Sequence, residues 1–225
     1  MRAMLLAAGL GTRLRPLTDS RPKPLLEVGG LTLIEHQIRR LQDAGIQEIV
    51  VNLHYMGQRI EKTLGDGSRW GAKIHYSWEQ DLLETGGGIK AALDIIGDEA
   101  FAVVSSDVYM DMNYEDLPRT LVSGSLGCLV MVSNPPHHPR GDFSLNGDRL
   151  EFEGNRMTYS GVSVLNPEIF QGIEEDAFPL RWALERAITA GRLHGMLHNG
   201  YWCDVGTPER YALLEKHLSS LEADE

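Results

Sequence analysis

The 225-residue sequence predicts an α/β fold: a doubly wound, mostly parallel sheet flanked by helices, Rossmann-like, with a β-rich elaboration toward its C-terminus. Three observations carry this. Short apolar runs alternate with helical stretches through the first half, the first apolar run ends in a glycine-rich turn, and from Leu126 the pattern shifts to shorter β-rich pieces. A chain of this length buries one sizeable core, so a single domain over 1–225 is expected, with halves meeting near residue 125.

Residues 4–8 read as the first buried strand, after which Gly9 and Gly11 let the backbone turn with its N–H groups bare. Thr32 and Glu35 spell a capping box, and Ile34, Ile38 and Leu41 recur at helical spacing until Gly45 closes the helix. A strand over 48–53, a helix over 57–64, a strand over 73–76, a helix over 87–96 and a strand over 101–105 follow. Beyond them come a strand over 126–132, a hairpin about Asn146-Gly147 and a strand over 158–165. Helices are expected over 167–173, 180–190 and 208–218, and residues 222–225 are expected to fray.

The net charge of −11 argues against a general nucleic-acid binder, which needs a basic face to displace counterions. Cations that meet an anionic ligand must then be local. Cys128 and Cys203 lie in apolar or aromatic surroundings without C-x-x-C spacing, which reads as reduced thiols in a cytoplasmic protein. Glycines 9 and 11 and arginines 13 and 15 cut the first apolar run too short for a signal, and no segment is long enough to span a bilayer.

The residues richest in chemistry are Leu6-Ala7-Ala8-Gly9-Leu10-Gly11-Thr12-Arg13-Leu14-Arg15-Pro16-Leu17-Thr18 and Arg21-Pro22-Lys23-Pro24-Leu25. Arg13 and Lys23 place cations beside the bare turn, and the flanking prolines restrict the backbone around Lys23. A dinucleotide fingerprint would need glycine at Leu14, and no Walker A spacing is present. Asp107 follows the strand over 101–105, at the sheet edge where open α/β folds bind ligands, and Asp204 stands likewise at a strand end, before the helix over 208–218. Taken alone, either aspartate also reads as a helix cap or loop carboxylate.

This segment resembles the signature of the sugar-1-phosphate nucleotidyltransferases, L-A-A-G-x-G-T-R-L-x-P-L-T followed by P-K-P, and residues 200–208 resemble their G-x-W-x-D-V-G-T-P. The resemblance implies a nucleotide-binding half over about 1–125 and a sugar-binding half over about 126–225. Ala8, Gly9, Gly11, Thr12, Arg13 and Lys23 would hold the triphosphate, with Arg13 and Lys23 catalytic, and Asp107 and Asp204 would hold Mg²⁺. Glu79, Thr85 and Gly86 map onto positions that read the base, with Glu84 where the family has glycine; by residues alone the block is also a glycine-rich start to a helix.

On the sugar side the candidates are Ser105, Arg140, Gly141, Glu153 and Gly161, each of which also reads as an ordinary turn or sheet residue. Ser105-Ser106 stands where the family has Asn/Gly-Gly, which implies altered sugar contacts. Leu83-Glu84-Thr85-Gly86-Gly87-Gly88 and His137-His138-Pro139-Arg140-Gly141-Asp142-Phe143 most resemble the N-acetylmuramate-1-phosphate uridylyltransferases. Their resemblance implies UTP and a sugar 1-phosphate as substrates, and Arg140 as the partner of the lactyl carboxylate. A mannose- or heptose-1-phosphate enzyme is the alternative within the family, and a non-catalytic nucleotide-sugar sensor is the alternative outside enzymes.

Overall fold

The computed structural model describes residues 1–223. At its centre β1 (Ala3–Leu6) pairs in parallel with β4 (Glu48–Leu53) on one side and β6 (Phe101–Ser105) on the other, and β5 (Lys73–Trp78) extends the sheet beyond β4. These strands are nearly continuous buried runs, as a parallel sheet covered on both faces requires. Beyond β6 the sheet turns mixed: β11 (Arg156–Leu165) is antiparallel to it, β8 (Gly127–Val132) antiparallel to β11, and β12 (Leu193–Leu197) parallel to β8. The hairpin of β9 (Phe143–Asn146) and β10 (Arg149–Glu151) closes the order β5-β4-β1-β6-β11-β8-β12-β10-β9. The β6–β11 ladder fuses the two halves into one sheet.

Two cores follow from strand alternation. Leu5, Ile49, Val51 and Val104 face α1 (Leu33–Asp43) and α2 (Gly57–Leu64), which bury Ile34, Ile38, Leu41, Ile60 and Leu64. Met4, Val50 and Val103 face α3 (Glu84–Ala91), α4 (Leu93–Ile96) and α5 (Leu180–Thr189), which bury Ile89, Ile96, Leu184 and Ala187. The capping box of α1 is formed: the Thr32 N–H donates to Glu35 Oε2 at 2.8 Å and the Glu35 N–H to Thr32 Oγ1 at 3.4 Å.

A third, smaller core ties the chain's two ends together. α6 (Pro208–Ala223) packs Leu214 and Leu218 against Leu14, Leu26, Val28 and Leu33, around the small hairpin of β2 (Glu27–Val28) and β3 (Leu31–Thr32). No helix of the described residues is long and apolar enough to cross a membrane.

The structure differs from the sequence reading in several elements. The expected helix over 167–173 is a 3-10 turn, Pro167–Phe170, capped by Asn166, and the expected helix over 87–96 starts earlier and breaks at Ala92 into α3 and α4. The strand expected to end at Asp204 is β13 (Trp202–Asp204), whereas β7 (Val108–Met110) and β12 are additions: the first is three residues long, and His194 and Gly195 interrupt the apolar pattern of the second. Of the tail expected to fray, residues 224–225 lie outside the described residues.

Candidate active site

The turn after β1 forms the floor of a cleft of about 460 Å³ at the C-terminal edge of the parallel strands. Ala8, Gly9, Gly11, Thr12, Arg13 and Lys23 all line it. Gly11 has φ +64°, and a Cβ there would lie 3.1 Å from Thr18 Cγ2 and 3.3 Å from Lys23 Cβ, so the tight turn requires glycine. Nothing lies within 4 Å of a Cβ built on Gly9, which leaves its backbone open to the cleft. Among the described residues, the N–H groups of residues 9–12 donate to no other protein group, the arrangement of an anion nest.

The two aspartates, 97 positions apart, meet through a two-stranded sheet of their own. β13 runs antiparallel to β7 with Asp204 opposite Val108, and the Val205 N–H donates to the Asp107 carbonyl at 2.8 Å. The Lys23 ammonium pairs with Asp107 Oδ2. Asp204 Oδ2 accepts from Arg210 Nη1 at 2.5 Å, and the same Nη1 donates to His137 Nε2 at 2.6 Å. With its Nε2 lone pair accepting from Arg210, that nitrogen carries no hydrogen to donate to Asp204 Oδ1, 3.0 Å away. Asp204 Oδ1 is therefore buried without a hydrogen-bond partner. Two carboxylates, one with an unspent buried oxygen, suit a hard divalent cation that completes its shell with phosphate oxygens.

On the far wall Glu79, buried to 6 % exposure, accepts from Asn52 Nδ2 at 2.6 Å and from the Leu83 N–H at 3.2 Å, while Asn52 Oδ1 holds the Ala7 N–H at 2.8 Å. Asn52 was missed in the sequence; only its place at the C-terminal end of an apolar strand, like Asp107 just past β6, marks it. Glu79 lines the cleft but spends both oxygens on the protein, so it shapes the wall. Thr85 also lines the cleft, and its hydroxyl accepts from the Leu180 N–H at 3.1 Å. Glu84 takes φ +59°, the left-handed conformation that suits the family's glycine.

Gly86 lies outside the cleft lining. A Cβ on it would stand 2.4 Å from Phe178 Cε2, and on Gly87 only 2.0 Å from the Asp176 carbonyl. The N–H groups of Gly86 and Gly87 both donate to the Phe178 carbonyl, at 2.9 and 3.1 Å. These glycines admit the chain's own 176–178 segment.

On the sugar side, Ser105 lines the cleft and Gly161 sits directly over it, in a bulge of β11 with φ +86°. A Cβ there would lie 2.9 Å from Ser105 Oγ. Gly161→Ala is therefore expected to lower stability by roughly 1–2 kcal/mol, the cost of left-handed backbone for an L-residue, as read by urea unfolding. The Ser106 hydroxyl is spent on the Leu6 carbonyl at 2.6 Å. Arg140 and Glu153 are exposed and lie outside both the cleft and the cavity beside it. Gly141 is buried, with Asn134 Oδ1 at 2.7 Å from a built Cβ, and so serves the turn itself. Asp142 accepts from the Tyr159 N–H at 2.9 Å and lies 3.5 Å from Arg181.

Burial, then the neighbouring Asp204 carboxylate, pushes the Cys203 thiol up to about 11, so the free thiol stays protonated near neutrality. Among the described residues no cluster of three or more His, Cys, Asp or Glu is poised to hold a metal.

Residues 2–144 match the nucleotidyl transferase family. The N-acetylmuramate alpha-1-phosphate uridylyltransferase of Neisseria meningitidis serogroup B is 46 % identical over 216 residues, 92 % of this chain and 94 % of its own. A protein of the same name from Caulobacter vibrioides is 35 % identical over 96 % of both chains. The mannose-1-phosphate guanyltransferase of Neurospora crassa is 32 % identical, and the match covers 94 % of this chain but 62 % of that one. Two solved structures share the fold. A Bacillus anthracis protein in complex with sucrose matches 97 % of this chain and 95 % of its own, with TM-score 0.86 and 18 % identity. HddC from Yersinia pseudotuberculosis, complexed with GMP-PN, matches 96 % and 98 %, with TM-score 0.81 and 24 % identity. By family match, relatives and cleft alike, the chain belongs to the nucleotidyl transferase family.

Proposed function

We propose that the protein transfers UMP from UTP to N-acetylmuramate 1-phosphate, giving UDP-N-acetylmuramate and pyrophosphate. The observation that carries the chemistry is the convergence of the bare loop, Lys23 and Asp107 on one cleft, with Asp204, which lines the neighbouring cavity, tied beside Asp107 by the β7–β13 pairing. The choice of base and sugar rests on the names of the 46 % and 35 % identical relatives, which cover nearly the whole chain. On this reading residues 1–125 serve the nucleotide and 126–225 the sugar, in a cytoplasmic protein whose Cys128 and Cys203 are both free thiols.

The attacking phosphate oxygen is already anionic near neutral pH, so no general base is needed and no covalent intermediate arises. The protein's work is alignment and charge neutralisation. The loop N–H groups at 9–12 and the Arg13 guanidinium hold the β- and γ-phosphates and offset the charge of the departing pyrophosphate. Lys23, fixed between Pro22 and Pro24, offsets charge developing at the α-phosphoryl group. Asp107 and Asp204 would hold Mg²⁺, which when bound supplies orientation and neutralisation of the phosphate oxygens.

Asp204→Asn is expected to raise the metal concentration needed for half-maximal rate at least tenfold, because an amide is a poorer ligand for a hard cation and outer-shell losses alone cost about 10–100-fold. Mg²⁺ titration of turnover, together with Mn²⁺ binding followed by electron paramagnetic resonance, checks this; unchanged curves would dismiss the aspartate pair. The whole reading is tested by pyrophosphate release from UTP, GTP and CTP against a panel of sugar 1-phosphates. Preference for mannose 1-phosphate with GTP would favour the guanylyltransferase alternative, and no release with any pair would favour a nucleotide-sugar sensor.

A further inference from the structure

A second cavity of about 430 Å³ opens on the other side of Asp204, walled by Pro135, His137, Tyr201, Arg210, Lys216 and His217 among others. The rings of Tyr201 and His217 stack with centroids 3.5 Å apart. In a chain of net charge −11 this wall is cationic: it carries Arg210 and Lys216, with Asp204 as the sole acid lining it.

Arg210 forms the partition between cavity and cleft. A Cβ built on Gly206, which lines the cleft, would fall 1.9 Å from Arg210 Nη2, with Arg13 Nη2 3.5 Å from the same point. The Arg210 side chain is only 12 % exposed, yet among the described residues it spends Nη1 alone, on Asp204 and His137. Its Nε and Nη2 donate to nothing there. A guanidinium carries five N–H donors in a rigid fork shaped for a carboxylate, and the Arg210 donors left unspent are open to solvent, free to take an acceptor that enters the cavity.

We propose that Arg210, oriented by His137, is a carboxylate subsite that reads the lactyl group of the sugar 1-phosphate. The inference rests on the substrate reading above and deepens it. A sugar held by its phosphate at Asp204, which lines this cavity, would have room to extend into it, while the phosphate loop lines the cleft on the other side of Arg210. N-acetylglucosamine 1-phosphate offers the same ring and phosphate but no carboxylate, so the fork would remain unspent. Arg140, the candidate read from the sequence, is exposed outside this cavity; the loop that carries it delivers His137 instead.

The test is competition between N-acetylmuramate 1-phosphate and N-acetylglucosamine 1-phosphate for UTP, comparing kcat/KM ratios. Arg210 also holds Asp204, and any effect of that contact falls on both sugars and cancels in the ratio. Arg210→Gln should lower the preference for the carboxylate-bearing sugar roughly ten- to a hundredfold, the scale of a hydrogen bond to a charged group. The loss should lie in KM, Arg210→Lys should restore part of it, and His137→Ala should lower the preference by less, which also serves if Arg210→Gln fails to fold. Equal losses on both sugars would overturn the subsite and leave Arg210 as the counter-ion of Asp204. A parent enzyme active on both sugars without preference would overturn the substrate reading and the subsite together.

Discussion

Lys23→Ala should leave a folded protein whose turnover falls by roughly 10²–10³, the scale for removing one preorganised charge from a transition state. Folding survives because the side chain stands on the cleft wall, with its ammonium on the Asp107 carboxylate, and not within either core. The effect is large because Lys23 begins a 3-10 turn between prolines, so its backbone is ordered before any ligand arrives. Loss of the ammonium also leaves Asp107 without its counter-ion, so the variant should tolerate a divalent cation there at least as well as the parent. Pyrophosphate release at saturating substrate, with a thermal melt as control, measures both halves of the expectation. Near-normal turnover would remove Lys23 from the chemistry.

The largest loss of stability is expected from Gly87→Ala. An added methyl meets the Asp176 carbonyl at 2.0 Å, and that segment cannot drift away freely because Phe178 is anchored by its own N–H on the Leu83 carbonyl and by the Gly86 and Gly87 N–H groups on its carbonyl. A backbone clash of this kind sits at the upper end of overpacking costs, about 3 kcal/mol. For a chain of this size that corresponds to a melting temperature lower by about 6–12 °C. Gly9→Ala is the control, since a Cβ there meets nothing within 4 Å and should cost little stability. Equal melting temperatures for the two variants would show that the α3 contact yields easily.

The contrast between these glycines shows what a sequence makes legible. Gly9 and Gly11 act within one contiguous loop, so the function of that loop could be read from neighbours in the chain. Gly86 and Gly87 answer to residues 176–178, some ninety positions away, and nothing local distinguishes a glycine that admits a ligand from one that admits the protein itself. Arg210 was hidden differently: it stands only six positions after Asp204, but an ordinary basic residue does not announce its partner, and His137 reaches Asp204 only through the loop after β8. The parallel half of the sheet was legible because its strands are long, buried and regularly spaced. β7 and β13, three residues each, are too short to show any period, although they are what joins the two aspartates.

That small sheet also sets how far the site depends on contacts distant in sequence. The phosphate loop is built within one stretch of chain, whereas the two carboxylates are tied together by the β7–β13 pairing and by the Val205 N–H on the Asp107 carbonyl. Contacts of such separation close a long loop and cost more entropy than local ones. Loosening β13 from β7 would therefore part the acid pair while leaving the phosphate loop on its own strand.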